Sequence, residues 1–499
     1  MRSRRLNRRQ GLGADRATIR DYDQNTETWR RRAPPKGRLT RDAPAAPFAA
    51  PFAERTLFAM QRKLELDRSP PLNVPLRFFA SAPLFAIAAA GLLLWAGPDA
   101  LASRWSPAAL ALAHLCALGM LATTMVGAMI QIMSVAAGVR IASPVASATA
   151  IHACLALGTL LLAAAFARAA PALFAPAALL LGVAFLWFLL VCAIGFARQR
   201  RHMPAGAASV MRTVRLAWLA LAATVALGAS LGLALGGHLR AFSIGLVDLH
   251  ATWGLAGWVG LLTIGISYQL IPMFQATEPY PRAVTRWLGP GVFAALVAAS
   301  AVALGPADRF GFAADAIRIA LYALYAAYAA WTFYLLWTRK RPEADTTTLF
   351  WRTAMASAGC ASVLWIANTG AGGRDVAVTV GVLLMIGGAW SAINGMLYKI
   401  IPFLLWYHAQ KASETAIPAM PKVKDMLPER AARPQFYAHV AALLLLVAAS
   451  VAPAPFARPA AVAFGVSAGW LALNMLGAWR RYARIRRRVA SVSILHLRA

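Results

Sequence analysis

From residue 73 onward the chain alternates long apolar runs with short polar breaks, many of them rich in arginine. Apolar runs of this length read as membrane-spanning helices. The alternating ten-residue pattern of a transmembrane barrel is missing. The pattern predicts twelve spans, at about 73–95, 107–134, 146–166, 172–196, 214–236, 250–272, 288–305, 313–337, 350–368, 376–402, 434–452 and 457–478. Residues 1–68 are polar and rich in Arg, Asp and Pro, and are expected to be loosely attached, with a mildly apolar stretch at 43–61. That polar run does not fit a signal peptide. The division expected is a cytoplasmic segment 1–68, a membrane domain 69–479 and a basic tail 480–499.

Two of the apolar runs close on near copies of one phrase. Gly265-Ile-Ser-Tyr268-Gln269-Leu-Ile-Pro272 ends span 6, and Gly395-Met-Leu-Tyr398-Lys399-Ile-Ile-Pro402 ends span 10. A weaker version, Gly127-Ala-Met-Ile130-Gln131-Ile-Met-Ser134, ends span 2. The starts lie 138 and then 130 residues apart, and the motif spans are four helices apart. The simplest architecture is all-α, with twelve transmembrane helices in three pseudo-symmetric arcs of four about an axis along the membrane normal. The glycines allow close helix approach. Pro272 and Pro402 are expected to end their helices or open them locally.

Charge gives this count a sidedness. The chain carries 50 Lys and Arg against 19 Asp and Glu, a net charge of +31. With the N-terminus inside, the heavily basic segments all fall on the cytoplasmic side, including Arg339, Lys340, Arg341 and the run Arg480 to Arg488. These loops are expected to meet anionic lipid, not nucleic acid. Both termini are then cytoplasmic, and the motif ends of spans 2, 6 and 10 face inward. Only 14% of the residues are charged, against roughly a quarter in a soluble domain. Cys116, Cys154, Cys192 and Cys360 stand singly in apolar helices and read as small buried hydrophobes.

Two segments carry a resemblance. His114-Leu-Cys-Ala-Leu-Gly119 with Met125-Val-Gly127-Ala-Met-Ile-Gln131, and His250-Ala-Thr-Trp-Gly-Leu-Ala-Gly-Trp258 with the span 6 motif, resemble haem-copper oxidase subunit I-like proteins. That family has twelve spans in three arcs. The resemblance implies a bacterial inner-membrane protein in which His114 matches the low-spin haem ligand. It also implies that His250, at the start of span 6, matches the first copper-binding histidine. The chain departs from the family at Gly254, where a tyrosine is expected, and has no histidine on span 7 or at 375–401. A copper centre or a six-coordinate haem of the family kind needs those imidazoles. The resemblance therefore implies shared descent without the oxygen-reducing binuclear centre.

An imidazole within a bilayer requires a hydrogen bond or a metal. His114 and His250 are thus the candidate ligands of one haem b or one metal, in an accessory redox role with a membrane or redox protein partner. Asp248 and Asp375 are candidates to orient those rings, or simply to start helices. Gln131, Tyr268, Gln269, Tyr398 and Lys399 are expected to form a polar network near the cytoplasmic face. His152, His408 and His439 read as boundary histidines, and Met273, Met385 and Met396 as packing residues. The competing expectation is a cofactor-free small-molecule transporter or a membrane scaffold.

Overall fold

A computed structural model describes residues 66–136, 143–199, 208–240, 243–305, 307–369, 376–411 and 421–498. The expected segment 1–68 falls almost wholly outside them, as do His202 and Asp375. Among the described residues every regular element is helical. Twelve helices are long and apolar enough to cross a membrane. They are span 1 (Asn73–Ala96), span 2 (Pro107–Val135), span 3 (Pro144–Ala167), span 4 (Pro171–Arg198), span 5 (Ala208–Leu235) and span 6 (Ile244–Gln275). Then come span 7 (Arg282–Leu304), span 8 (Phe312–Trp337), span 9 (Thr346–Asn368), span 10 (Ala377–Lys411), span 11 (Glu429–Val451) and span 12 (Pro453–Arg488). This is a multi-pass membrane protein.

The helices outrun the apolar windows that announced them. Spans 5, 6 and 7 start at Ala208, Ile244 and Arg282, ahead of the predicted residues 214, 250 and 288. Span 10 runs on to Lys411 and so takes in His408. The helix of span 12 continues to Arg498, so the basic tail is an extension of the last span. Hydropathy sees only the segment that lipid touches, whereas intrahelical hydrogen bonding carries the helix into polar sequence. Pro272 and Pro402 both lie inside their helices, so neither ends its helix.

Each span packs against the next in sequence, and span 12 returns onto span 1, so the bundle closes. Spans 2 and 6 are the most enclosed, with 61% of their most apolar window buried, and spans 1 and 10 follow with 50%. The other eight reach 39% at most, which makes them the lipid-facing shell.

Spans 2, 6 and 10 share a local irregularity that the sequence does not announce. Each contains eight residues of π-helix, Leu115–Ala122, Trp253–Gly260 and Leu383–Trp390. Each stretch ends five residues before the glycine that opens the repeated phrase. The fifth residue of all three is glycine, and each is pressed against a preceding helix. A methyl on Gly119 would lie 2.4 Å from Phe85 Cγ, on Gly257 2.8 Å from Ala220 Cβ, and on Gly387 2.5 Å from Ser357 Oγ. Two turns further on the contact recurs: a methyl on Gly127 would lie 2.5 Å from Phe78 Cβ, on Gly265 3.1 Å from Thr213 Cβ and on Gly395 2.9 Å from Phe350 Cβ. The partners Phe85, Ala220 and Ser357 keep the same spacing as Phe78, Thr213 and Phe350, 135 and then 137 residues. One helix-pair contact, span 1 on 2, is therefore repeated by 5 on 6 and 9 on 10. Two glycine positions per pair hold it: at five of the six a methyl would come within 3.0 Å of the neighbouring helix, and at Gly265 within 3.1 Å.

Candidate functional site

Span 2 begins with Ser106, whose side chain accepts from Ala109 N at 3.0 Å, followed by Pro107. Span 6 begins with Ser243, which accepts from Leu246 N at 3.3 Å. Those caps set His114 and His250 about two turns into their helices, at the same end of the bundle. His250 is therefore not the residue that starts span 6.

The two rings come together. Their centres are 6.2 Å apart and their planes within 18° of parallel, with Phe166 stacked on His114 at 5.2 Å. His114 Nδ1 contacts Leu110 O at 2.7 Å, and His250 Nδ1 contacts Thr224 O at 3.0 Å. A carbonyl only accepts, so each Nδ1 carries the proton and each Nε2 presents a lone pair. Both rings line one cavity of about 320 Å³ between spans 2, 3, 4, 5 and 6, a size usual for a ligand site. Apart from Thr224, its other walls are glycine, aliphatic and aromatic residues, with Met385 of span 10 among them. Trp258 also lines it, and its indole N–H is buried with no acceptor among the described residues.

Asp248 does not reach these rings through any hydrogen bond described. It is paired with Arg104 at 2.7 Å, and the Arg104 guanidinium lies 4.2 Å over the Trp105 ring at the cavity wall. The Nδ1 of each ring meets a backbone carbonyl, of Leu110 and of Thr224, and not Asp248. Asp375 lies outside the described residues.

At the opposite end of the bundle the five expected polar residues divide among separate partners. Gln131 donates to Ser69 at 3.0 Å and Tyr268 to Val284 O at 3.3 Å. Gln131 and Gln269 line a common small cavity. Tyr398 donates to Gln435 at 3.1 Å and accepts from Asn474 at 2.9 Å. Lys399 pairs with Asp345 at 2.7 Å. Asp345 caps span 9 through Thr348 N at 2.8 Å, and the Thr348 hydroxyl lies 2.6 Å from Gln275 and 2.7 Å from Arg339. This clasp joins the ends of spans 6, 8, 9 and 10. Burial alone would push the Asp345 carboxyl up, but the Lys399 ammonium and the Thr348 donors hold it below its ordinary value.

Two buried polar groups escape a reading by sequence. His439 is wholly enclosed in span 11 and bonds Ser391 at 2.7 Å, so it is no boundary residue. One turn away Gln435 bonds Asn394 at 3.3 Å and Ser467 at 3.2 Å. The signal was present in the spacing of Ser391, Asn394 and Tyr398, which lie on one helical face. Tyr268 and Tyr280 pack with ring centres 5.1 Å apart, and Tyr280 bonds Thr332 at 2.9 Å. His152 bonds Ser81 at 3.0 Å. Of the cysteines, Cys116 and Cys192 are buried as expected, but Cys360 is exposed on the lipid-facing surface.

A scan against protein-family models found no match to the chain, and a search of curated proteins found none either.

Proposed function

We propose that this chain is a divergent relative of haem-copper oxidase subunit I, built as three arcs of four helices. In this reading it holds one haem b between His114 and His250 in an accessory redox role. The observation that carries the proposal is the imidazole pair itself. The pair here stands at 6.2 Å with nearly parallel planes.

The donor set favours haem over a bare ion. Zinc or copper alone needs three or four protein donors, and among the described residues no three His, Cys, Asp or Glu side chains gather. Haem brings four nitrogens of its own and asks of the protein axial ligands and apolar walls. When bound, it would supply one-electron chemistry. The chain's own residues would present the two lone pairs, with Phe166 stacked on His114 and apolar side chains around them. Held by both histidines, the group would serve electron transfer and not reduction of oxygen at a binuclear centre. The repeated glycine contacts of span pairs 1–2, 5–6 and 9–10 support the three arcs. Arg339, Lys340, Arg341 and the basic extension of span 12 support a bacterial inner membrane with both termini and the motif ends cytoplasmic.

The test is the reduced-minus-oxidised spectrum and metal content of purified protein made under haem-replete conditions. A low-spin b-type spectrum is expected, lost in His114→Ala and in His250→Ala and unchanged in His408→Ala. Protein free of haem would overturn the reading. The competing reading, a cofactor-free transporter or scaffold, draws support from the lack of histidine on span 7 and at 375–401.

A further inference from the structure

The clasp at the motif end of spans 6, 8, 9 and 10 holds more hydrogen-bond donors than acceptors. Arg339, two residues past the end of span 8, is only 8% exposed. Its Nη1 donates to the Thr348 hydroxyl at 2.7 Å. Its Nε and Nη2 are enclosed with no acceptor among the described residues. The amide nitrogen of Gln275, whose oxygen lies 3.5 Å from Nη1, is in the same position. Arg352 on span 9 donates from Nη2 to Leu336 O at 2.9 Å and keeps an enclosed Nε–H without an acceptor. A buried donor left unpaired is costly, and a charged one more so. Several of them at one place mark an acceptor still to be supplied.

The nearby carboxylates are already engaged. Asp345 binds Lys399 and Thr348, and Glu278 pairs with Lys340 at 2.9 Å. Glu343 is exposed and forms no ion pair among the described residues. Arg339, Arg341 and Arg352 are therefore left without a carboxylate partner among the described residues. Burial loosens the hold of the Arg339 guanidinium on its proton, Asp345 restores part of it, and Arg352 and Arg341 weaken it further. An arginine still keeps its charge at neutral pH, so the acceptor that fits is an anion. The surface beside the site is that of a membrane boundary. Trp331, Tyr334 and Trp337 stand exposed at three-residue spacing on span 8. The Arg352 guanidinium lies 4.9 Å over the Trp337 ring.

We propose that this site binds the phosphodiester of one anionic membrane lipid. The Arg339 fork takes its oxygens, Arg341 and Arg352 stand beside it, and the acyl chains run along Trp331, Tyr334 and Trp337. This differs from a general attraction of basic loops to lipid, because it depends on the guanidinium: two N–H groups match phosphate oxygens where an ammonium offers a point charge. It requires neither haem nor a given sidedness. The probe is dioleoylphosphatidylglycerol, added to the full chain in a neutral detergent, counted by native mass spectrometry and read alongside by Tm. One such lipid is expected to stay bound and to raise Tm. Arg339→Lys keeps the charge and should weaken binding about tenfold or more, the scale of one hydrogen bond to a charged group. Arg486→Gln removes an exposed charge from the extension of span 12 and should leave binding unchanged. Arg341→Gln, at an exposed position, serves if the Arg339 variant does not fold, with a partial loss expected. Equal weakening in Arg339→Lys and Arg486→Gln would reduce the effect to general attraction and overturn the proposal. So would the absence of a retained lipid, or phosphatidylcholine held as tightly. Inorganic phosphate that raises Tm as far as the lipid does would assign the site to a free anion and overturn the lipid.

Discussion

His250 owes its aim to Gly228 on span 5. A methyl there would stand 2.7 Å from Cε1 of the imidazole and 3.2 Å from Nδ1, where the ring reaches past the helix surface to Thr224 O. Gly228→Ala is expected to push the ring off that carbonyl, freeing Nδ1 and turning Nε2 from its position. In haem-loaded protein the spectrum should shift from low toward high spin. Gly182→Ala lines the same cavity with nothing within 4 Å and should leave the spectrum unchanged. Overpacking of this kind costs about 1–3 kcal/mol, so both variants are also to be compared by Tm. His114 and His250 stood out in the sequence because an imidazole in an apolar run has few acceptable environments. Gly228 did not, since one glycine among many carries no mark of the ring it faces.

In each motif span the repeated phrase follows the π segment and its closely packed glycine at one fixed distance. Replacing Gly119, Gly257 or Gly387 by alanine is expected to destabilise by about 1–3 kcal/mol each, because the new methyl meets a packed neighbour. Gly381→Ala, in the same span as Gly387 and with nothing within 4 Å, should be neutral or slightly stabilising, as alanine is the better helix former. Thermal unfolding in one detergent ranks the four. At the ends of spans 9 and 10 the Asp345–Lys399 pair makes a pH prediction. The folded carboxyl is held below its unfolded value, so its contribution is complete above about pH 4 and is lost as pH falls through the folded value. Tm should therefore fall on acidification more steeply in the native protein than in Asp345→Asn. That variant should lose about 2 kcal/mol at neutral pH, the scale of a hydrogen bond to a charged group. Parallel Tm–pH curves for the two proteins would refute this.

For the whole molecule, an even number of spans returns the chain to the side from which span 1 began. A reporter fused beyond residue 498 and a cysteine placed at Glu343 are expected to report the cytoplasmic side, and a cysteine at His238 the opposite one. Labelling of intact and opened cells reads this directly. The sequence by itself determined the number of spans, their order and the repeat. Those follow from one-residue preferences for lipid or water, which survive without knowledge of any partner. It also singled out His114 and His250. Only the tertiary structure decided that these two rings face each other, that Asp248 turns to Arg104, and that Lys399 leaves the other motif residues for Asp345. It alone showed His439 buried against Ser391. In a bilayer each buried polar group needs a partner within the protein, and where that partner lies on another helix, which helix supplies it is fixed by packing among segments distant in sequence.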